Sequence, residues 1–433
     1  MKRQIAGLIA SLTACVLLTF TVVLLAQSHV IPANTLPVTT PSVTEPATEP
    51  TTIVTTIETT TPATENTPTK PNARVTAAPV PQSLAESVEA IAQSYNTSGL
   101  SLVAFRGQEL VYSQYYGFAD MGRSKPVNAD TKYRIASVSK TISGMLAMGL
   151  VADGKLDLDK DISEYTGIQI TSYNYPDVPI TPRMLMTHTS SIIDGPTYTA
   201  NTTAAPLNQI LAVGDCFSKS KPGTRYSYSN FGAGLLAGVI EGASGEPHFY
   251  DYANEQFSAW GIDAGYLRNR IKATDTIAQI YQGKTLRADI PAWGRIDYRY
   301  AAFPIGRMYL LAHGDLIISA QDLSKFAIAM AGDGTFGGQS FLPAAQVNEM
   351  NSIQPNTGNQ YGLCVSVSRS LVDGRTMHGH AGQAYGMVSG FYYDPTDHTG
   401  VVFITNGCSI AKNEKGIYKI TNDLVNLIYD NVL

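Results

Sequence analysis

A serine and a lysine three positions apart, Ser137 and Lys140, are the residues of this chain best suited to chemistry. Residues three positions apart share one face of a helix, so the Lys140 amine can reach the Ser137 oxygen. A serine hydroxyl needs an adjacent base before it attacks a carbonyl carbon. The start of a helix also places developing negative charge near the positive end of the helix dipole. The pair predicts an activated nucleophile; the alternatives are a helix N-cap for Ser137 and a surface lysine for Lys140.

Two further short segments follow in the order that such a site requires, residues 228–230 (Y-S-N) and 380–382 (H-A-G). With S-x-x-K, Y-x-N and H-x-G in this order, the chain resembles the penicillin-recognising serine hydrolases. The branch is that of class C β-lactamases, D-alanyl-D-alanine carboxypeptidases, related serine peptidases and family VIII esterases. Residues 185–191 (L-M-T-H-T-S-S) and 314–323 (G-D-L-I-I-S-A-Q-D-L) are similar to two accessory segments of that family. The resemblance extends from about residue 83 to the C-terminus.

The resemblance implies a role for each residue of the first two motifs. Ser137 is the nucleophile that accepts the acyl group, and Lys140 and Tyr228 transfer protons. A phenol titrates near pH 10 in water, so Tyr228 acts as a base only if a neighbouring cation favours phenolate or if it relays a proton. Which of the two is the base stays open. Asn230 is expected to bind Lys140 and the acyl amide of the substrate, although Y-x-N also occurs at strand ends and turns.

His380 decides between the branches of this family. The β-lactamase pattern has a lysine here, in K-T-G, that offers a permanent cation to the carboxylate of the antibiotic. A histidine titrates near about pH 6.5 and is often neutral, so peptide or ester substrates are favoured over β-lactams. His378 is an alternative for this position and is interpreted as a structural or rim residue. His188 is interpreted as a structural, hydrogen-bonding histidine.

The third motif is also expected to contribute backbone groups to the site. Gly382 would let a strand approach the substrate closely, because glycine has no side chain. By resemblance, the backbone N–H groups of Ser137 and Gln383 form the oxyanion hole.

The elements that must position these residues follow from periodicity. Residues 83–93 predict an amphipathic helix, and an apolar helical segment runs from Ser137 towards Gly154, a plausible C-cap. Residues 140–325 mix helices with long loops. Strands are predicted at 100–105, 109–113, 363–368, 386–393 and 399–405, and a final helix at 412–429. These patterns favour an α/β (α+β) domain with an antiparallel sheet flanked by helices and a mostly helical subdomain. The resemblance implies the β-lactamase/transpeptidase-like fold, with its site in the cleft between the two parts.

Length and composition agree with one large catalytic domain. The 433 residues are 44% hydrophobic and 15% charged, with a formal net charge of −5, which gives no footprint for nucleic acid. No P-loop, dinucleotide fingerprint or zinc-ligand spacing is present in the sequence, so no cofactor and no metal are expected. The four cysteines (Cys15, Cys216, Cys364 and Cys408) do not suggest a disulfide framework.

The first 82 residues have a different composition. Residues 5–26 carry no charge and are long enough to span a bilayer, so residues 1–28 are predicted to be a signal-anchor or a signal peptide. Lys2 and Arg3 would stay on the cytoplasmic side. Cys15 lies in a segment similar to a lipobox. Residues 29–82 are rich in Thr and Pro and predict a disordered linker, followed by a hydrolase domain at 83–433.

The predicted function is an extracytoplasmic serine hydrolase that forms an acyl-enzyme at Ser137. Peptides ending like D-Ala-D-Ala, including peptidoglycan stem peptides, or esters are the expected substrates. A class C β-lactamase and a non-hydrolytic protein that binds penicillin or peptidoglycan at the cell surface are the alternatives. The physiological substrate and the oligomeric state stay open.

Overall fold

The computed structural model describes residues 82–200, 207–287 and 309–433. Its strands are β1 (Gly99–Arg106), β2 (Glu109–Asp120), β3 (Lys125–Pro126), β4 (Lys132–Arg134), β5 (Tyr281–Gln282), β6 (Thr285–Leu286), β7 (Ile317–Ser319), β8 (Thr335–Phe336), β9 (Gln339–Ser340), β10 (Ser366–Ser368), β11 (Met377–Ala384), β12 (Met387–Asp394) and β13 (Thr399–Thr405).

The α-helices of the described residues are α1 (Gln82–Ser94), α2 (Ser139–Ala152), α3 (Ser163–Thr166), α4 (Pro182–Met186), α5 (Pro196–Ala200), α6 (Leu207–Val213), α7 (Asn230–Gly234), α8 (Leu236–Ser244), α9 (Phe249–Ala259), α10 (Tyr309–Ala312), α11 (Ala320–Ala331), α12 (Ala344–Asn351) and α13 (Lys419–Asn431). Short 3₁₀ turns occur at Ala136–Val138, Arg268–Arg270 and Thr274–Thr276.

The main sheet has seven strands in the order β10-β11-β12-β13-β1-β2-β3, and each neighbouring pair is antiparallel. Strands β1 and β13, the first and last of the sheet in chain order, pair at the centre of the sheet, with Leu100 of β1 opposite Thr405 of β13. Three two-stranded ladders accompany it: β4 with β7, β5 with β6, and β8 with β9. The predicted antiparallel sheet is confirmed.

Helices cover both faces of this sheet. Leu102 and Ala104 of β1 belong to the cluster that contains the apolar residues of α1 and α13. Val103 and Phe105 of the same strand face the larger cluster, which contains the apolar residues of α11 and α2. All residues of β12 and β13 are buried. Because both faces are covered, these strands show no alternation of buried and exposed residues.

Helices α2 to α9 lie between β4 and β5 in the chain and form the predicted helical region. Helix α2 is buried along most of its length. It ends at Ala152, and Gly154 follows with a φ of +69°, the left-handed conformation that commonly terminates a helix.

Two predicted elements begin three or more residues later than expected. The segment 363–368 is a strand only from Ser366, because Cys364 has a φ of +57° that interrupts extended backbone. The final helix begins at Lys419 rather than at 412. Residues before it form a turn in which Asn413 N–H donates to the Ile417 carbonyl, with Gly416 at a φ of +78°.

Among the described residues, none of the helices combines the length and the apolar character needed to cross a bilayer. The predicted signal-anchor or signal peptide at 1–28, Cys15, and all of the linker at 29–82 except Gln82 lie outside the described residues. These assignments stay predictions.

Candidate active site

Ser137 lies in the 3₁₀ turn Ala136–Val138, which connects β4 to α2, so the α-helix begins two residues after the predicted start. Ala136 has a φ of +47°, in the left-handed region that non-glycine residues seldom adopt. Two hydrogen bonds fix the backbone of Ile135, the residue before this turn. Its N–H donates to the Leu316 carbonyl, and its carbonyl accepts from the Ser389 hydroxyl at 2.8 Å. The turn leaves Ser137 half-buried at the start of α2.

Lys140 is almost completely buried, with 1% of its surface exposed. Its Nζ lies 3.0 Å from the Ser137 Oγ, 2.8 Å from Asn230 Oδ1 and 2.8 Å from the backbone carbonyl oxygen of His313. The structure thus brings Ser137, Lys140 and Asn230 together, and the spacing argument concerned the first two of them. The carbonyl of His313 is a fourth member that sequence reasoning missed, because a backbone group leaves no signal in residue type.

Burial lowers the pKa of Lys140 to about 7, and the nearby negative charge of Asp194 acts in the opposite direction. The contacts of the amine accommodate both protonation states, because an ammonium can donate to all three oxygens. Two of its three partners are carbonyl oxygens, which only accept hydrogen bonds. A neutral amine can donate to both and accept from the Ser137 hydroxyl. Its lone pair then faces the proton that a nucleophilic serine must lose.

Tyr228 lies beside this pair, with Lys140 Nζ 5.0 Å from the centre of its ring. The residue is 40% exposed, but burial around its hydroxyl raises the pKa of the phenol, and a hydrogen bond with Ser137 only partly opposes this effect. The phenol therefore stays protonated at neutral pH. The His188 ring packs against the Tyr228 ring at a centroid distance of 4.3 Å. His188 Nδ1 also accepts from the Ser229 N–H at 3.2 Å, which confirms the predicted structural hydrogen bond of this histidine.

Asn230 is the first residue of α7, whose N-cap is Ser229. Its Nδ2 donates to Asp194 Oδ2 at 2.8 Å, while its Oδ1 faces Lys140. Sequence reasoning missed Asp194. Its position three residues after the accessory segment 185–191 was the available signal.

His380 is 5% exposed, and both of its ring nitrogens have partners. Nδ1 lies 2.6 Å from the Ala381 carbonyl oxygen, which can only accept, so Nδ1 carries the hydrogen. Nε2 therefore accepts from the Tyr361 hydroxyl at 3.0 Å. Burial, followed by the charge of Lys140, lowers the pKa of His380 to about 4. The ring is neutral at physiological pH, and its contact with a substrate stays a prediction.

Gly382 lies where β11 crosses the turn that carries Ser137. A Cβ at this position would be 2.3 Å from the Ile135 carbonyl oxygen and 2.2 Å from the Ser389 Oγ. The glycine therefore lets two protein segments approach each other, and its predicted approach to a substrate stays a prediction.

Gln383 is exposed next to Gly382, and its backbone direction follows from its strand partner. Val388, opposite Gln383 on β12, uses its N–H and its carbonyl to bind the Thr405 hydroxyl on β13. Val388 therefore makes no backbone hydrogen bonds to Gln383. In such an antiparallel pair the backbone N–H of Gln383 points away from β12. Strand β11 also packs against the turn that contains Ser137.

The other candidate residues lie apart from this chemistry. His378 is half-buried, with its ring 6.0 Å from that of Tyr393. Cys216, Cys364 and Cys408 are free and buried. Burial raises the pKa of the Cys216 thiol to about 11, which argues against a thiolate nucleophile. Within the described residues, no group of three or more His, Cys, Asp or Glu side chains could hold a metal ion.

Comparison with known proteins identifies the family. The beta-lactamase family model matches residues 84–419. The chain belongs to the beta-lactamase family. It is accordingly a serine hydrolase, and the resemblance inferred from the three motifs is confirmed.

Two related proteins share part of this sequence. Protein flp of Staphylococcus aureus (strain MRSA252) is 28% identical over 153 residues, which cover 34% of this chain and 30% of flp. The D-alanyl-D-alanine-carboxypeptidase/endopeptidase AmpH of Escherichia coli (strain K12) is 28% identical over 161 residues, 35% of this chain and 40% of AmpH. The chain therefore spans less than half the length of these relatives.

A solved structure of a beta-lactamase/D-alanine carboxypeptidase from Pseudomonas syringae shares the fold. Its TM-score is 0.63 at 17% identity, with 81% of this chain and 99% of that chain covered. The predicted β-lactamase/transpeptidase-like fold is confirmed.

Proposed function

We propose that this protein is an extracytoplasmic hydrolase that forms an acyl-enzyme at Ser137 with peptide or ester substrates. The observation that carries the proposal is the environment of Lys140. Its Nζ lies 3.0 Å from the Ser137 Oγ and is held on its other sides by the Asn230 and His313 oxygens. A hydroxyl and a buried amine held in this geometry suit nucleophilic catalysis.

Lys140 is the base of the acylation step in this proposal. The Ser137 Oγ forms a bond to the substrate carbonyl carbon while its proton passes to the neutral Lys140 amine. The carbonyl π bond opens to give a tetrahedral oxyanion. The opposite shifts of the two pKa values, downward for Lys140 and upward for Tyr228, favour the amine over the phenol as proton acceptor.

Tyr228 is the proton donor to the leaving group. The bond between the carbonyl carbon and the leaving nitrogen or oxygen breaks, and the leaving atom takes the phenol proton. Lys140, now an ammonium, returns a proton to Tyr228. A water molecule then attacks the acyl-enzyme, releases the acid and regenerates the Ser137 hydroxyl.

The oxyanion is proposed to bind the N–H groups of Ser137 and Gln383. Two observations support this assignment: the direction of the Gln383 N–H away from β12, and the packing of β11 against the Ser137 turn. Donors fixed by the backbone stabilise developing charge without reorganisation during the reaction. Asn230 and Gly382 line the same region and are proposed to contact the acyl group.

The substrate class follows from the neutral state of His380. A buried imidazole with a pKa of about 4 offers no fixed cation to a substrate carboxylate. A class C β-lactamase reaction is therefore the second candidate, behind hydrolysis of D-amino-acid peptides, amides or esters. AmpH is named as a D-alanyl-D-alanine carboxypeptidase/endopeptidase, which supports peptide substrates such as peptidoglycan stem peptides.

The cellular location is proposed from sequence. The uncharged segment 5–26 would insert in the membrane and the Thr/Pro-rich linker would hold the enzyme outside the cell. Protease treatment of intact cells should release a stable fragment that begins near residue 83. Native protein found wholly in the culture medium, with an N-terminus just after Ala26, would favour a cleaved signal peptide instead.

Covalent labelling tests the nucleophile. The wild-type protein should react with a fluorophosphonate probe, and Ser137→Ala should not, at unchanged melting temperature. Ser94→Ala is the matched control, because this serine is exposed on α1. Undiminished labelling of Ser137→Ala would remove Ser137 as nucleophile.

A substrate panel tests the reaction class. We expect measurable turnover of short-chain p-nitrophenyl esters or D-Ala-D-Ala peptides and slow or negligible turnover of a chromogenic cephalosporin. Faster turnover of the cephalosporin would support the β-lactamase alternative, and labelling without turnover of any substrate would support a non-hydrolytic binding protein.

A further inference from the structure

Asp194 binds the segment that begins α7 through three hydrogen bonds. Its Oδ1 accepts from the Ser229 hydroxyl at 2.9 Å and from the Phe231 N–H at 2.8 Å. Its Oδ2 accepts from Asn230 Nδ2 at 2.8 Å. The first two contacts fix the carboxylate against the N-cap side chain and the first turn of α7, and the third connects it to a residue that contacts Lys140.

We propose that Asp194 is a positioning residue that fixes the Asn230 amide with its oxygen, rather than its nitrogen, facing Lys140. An ionised carboxylate only accepts hydrogen bonds, so it must face the NH₂ end of the amide. The oxygen end then points the other way, where it lies 2.8 Å from Lys140 Nζ. This inference rests on the proposed function, because it concerns how the base is prepared.

The orientation of this amide decides where the lone pair of Lys140 points. With the Asn230 oxygen facing it, the neutral amine donates to Asn230 and to the His313 carbonyl, and its lone pair is left for the Ser137 hydroxyl. A reversed amide would present two N–H groups to the amine. The lone pair would then accept from Asn230, and Ser137 would lose its base.

Asp194 also supplies the negative charge near Lys140. The titratable side chains that interact with Lys140 in the described residues are Asp194, Tyr228, Cys364, His188, His313 and His380. Burial favours the uncharged form of the phenol, the thiol and the three imidazoles. Asp194 raises the pKa of Lys140, so removing its charge moves this pKa downward.

The variant Asp194→Asn tests the inference in the full-length protein. Its side-chain NH₂ would face the NH₂ of Asn230 and drive the Asn230 amide to reverse. We expect the plateau of kcat/KM for a p-nitrophenyl ester to fall by about 10²-fold, the scale of a lost proton-transfer partner. We also expect the acidic limb of its pH profile to move to lower pH, because the neutral amine would persist at lower pH.

Asp215→Asn is the matched control. Asp215 Oδ2 accepts from the N–H and the hydroxyl of Thr197, three residues after Asp194, at 2.9 and 2.8 Å. Replacing the Asp215 carboxylate disturbs the segment just after Asp194 without touching Asn230. This control should keep the wild-type plateau of kcat/KM and the wild-type acidic limb of the pH profile.

A folded Asp194→Asn variant with the plateau and limb of the wild type would overturn the inference. If that variant does not fold, the double variant Asp194→Asn/Asn230→Asp is the second test. It restores a hydrogen bond between positions 194 and 230 with donor and acceptor reversed, and it places a carboxylate next to Lys140. Its acidic limb should then move to higher pH than in the wild type, and an unmoved limb would overturn the inference. A wild-type protein that fluorophosphonate does not label would instead overturn the proposed function, and the role of Asp194 with it.

Discussion

The Tyr361 hydroxyl donates to Nε2 of His380 across 3.0 Å, with both side chains buried. This contact uses the one acceptor of the neutral ring, whose other nitrogen donates to the Ala381 carbonyl. His380 is therefore held by the protein on both sides. It differs from a lysine at the same position, which would bring a charge that only a substrate or a counter-ion could balance.

Tyr361→Phe is predicted to destabilise the fold by about 1–3 kcal/mol, because it leaves Nε2 of a buried ring without a donor. Urea unfolding measures the change. Tyr173→Phe, at a residue that is 81% exposed, should be nearly neutral. Equal stability of the two variants would mean that Nε2 finds another donor.

The rate of Ser137 labelling is predicted to rise with pH through about 7 and then to level off. The reacting form has a neutral Lys140 amine, and burial lowers the pKa of this amine to about 7. Below that pH the ammonium form dominates and cannot accept the Ser137 proton. Rates of fluorophosphonate labelling measured from about pH 5 to pH 9 give the acidic limb of this pH profile. A rate that is flat in this range, or that rises only near pH 10 and above, would assign the base to another group.

Ala136→Val is predicted to lower both stability and labelling. Ala136 has a φ of +47°, and a β-branched residue there is strained by about 1–3 kcal/mol. The control Ala136→Gly removes the strain but adds freedom to the unfolded chain, so its stability should stay within about 1 kcal/mol of the wild type. Thermal unfolding and the labelling rate report the two effects. Equal tolerance of valine and glycine would show that the turn relaxes.

Gly382→Ala is predicted to reduce labelling at Ser137 and to cost about 1–3 kcal/mol, the usual range for overpacking. The added Cβ would meet the Ile135 carbonyl and the Ser389 hydroxyl at 2.2–2.3 Å and push the Ser137 turn away from β11. Gly122→Ala is the control, since its Cβ would have its nearest contact at 3.4 Å. Wild-type labelling by Gly382→Ala would contradict the close packing of β11 on this turn.

The sequence predicted the parts of the site that depend on local spacing. Ser137 and Lys140 meet because they are three positions apart, and Asn230 was found through its motif. The contacts of Asp194 and Tyr361 join loops and strands that are distant in the chain, so spacing did not predict them; the proximity of Asp194 to the segment 185–191 was its one signal. The left-handed conformation of Ala136 was also unpredictable, because alanine does not normally favour it.

The fold shows the same division. The helix Gln82–Ser94 and the strand Thr399–Thr405 agree closely with their predictions, since each has a clear apolar pattern. The start of the last helix was placed too early, because residues 412–418 contain apolar side chains that belong to a turn. The strand predicted at 363–368 begins only at Ser366, because Cys364 has a backbone conformation that its apolar character did not reveal.

The pairing of β1 with β13 has a consequence for synthesis of the protein. β1 and β2 can form a hairpin soon after they leave the ribosome, but the other edge of β1 stays bare until translation is nearly complete. A bare strand edge recruits other chains. We therefore expect the nascent chain to need protection during synthesis, and a ribosome that stops before Thr399 to release an aggregation-prone fragment.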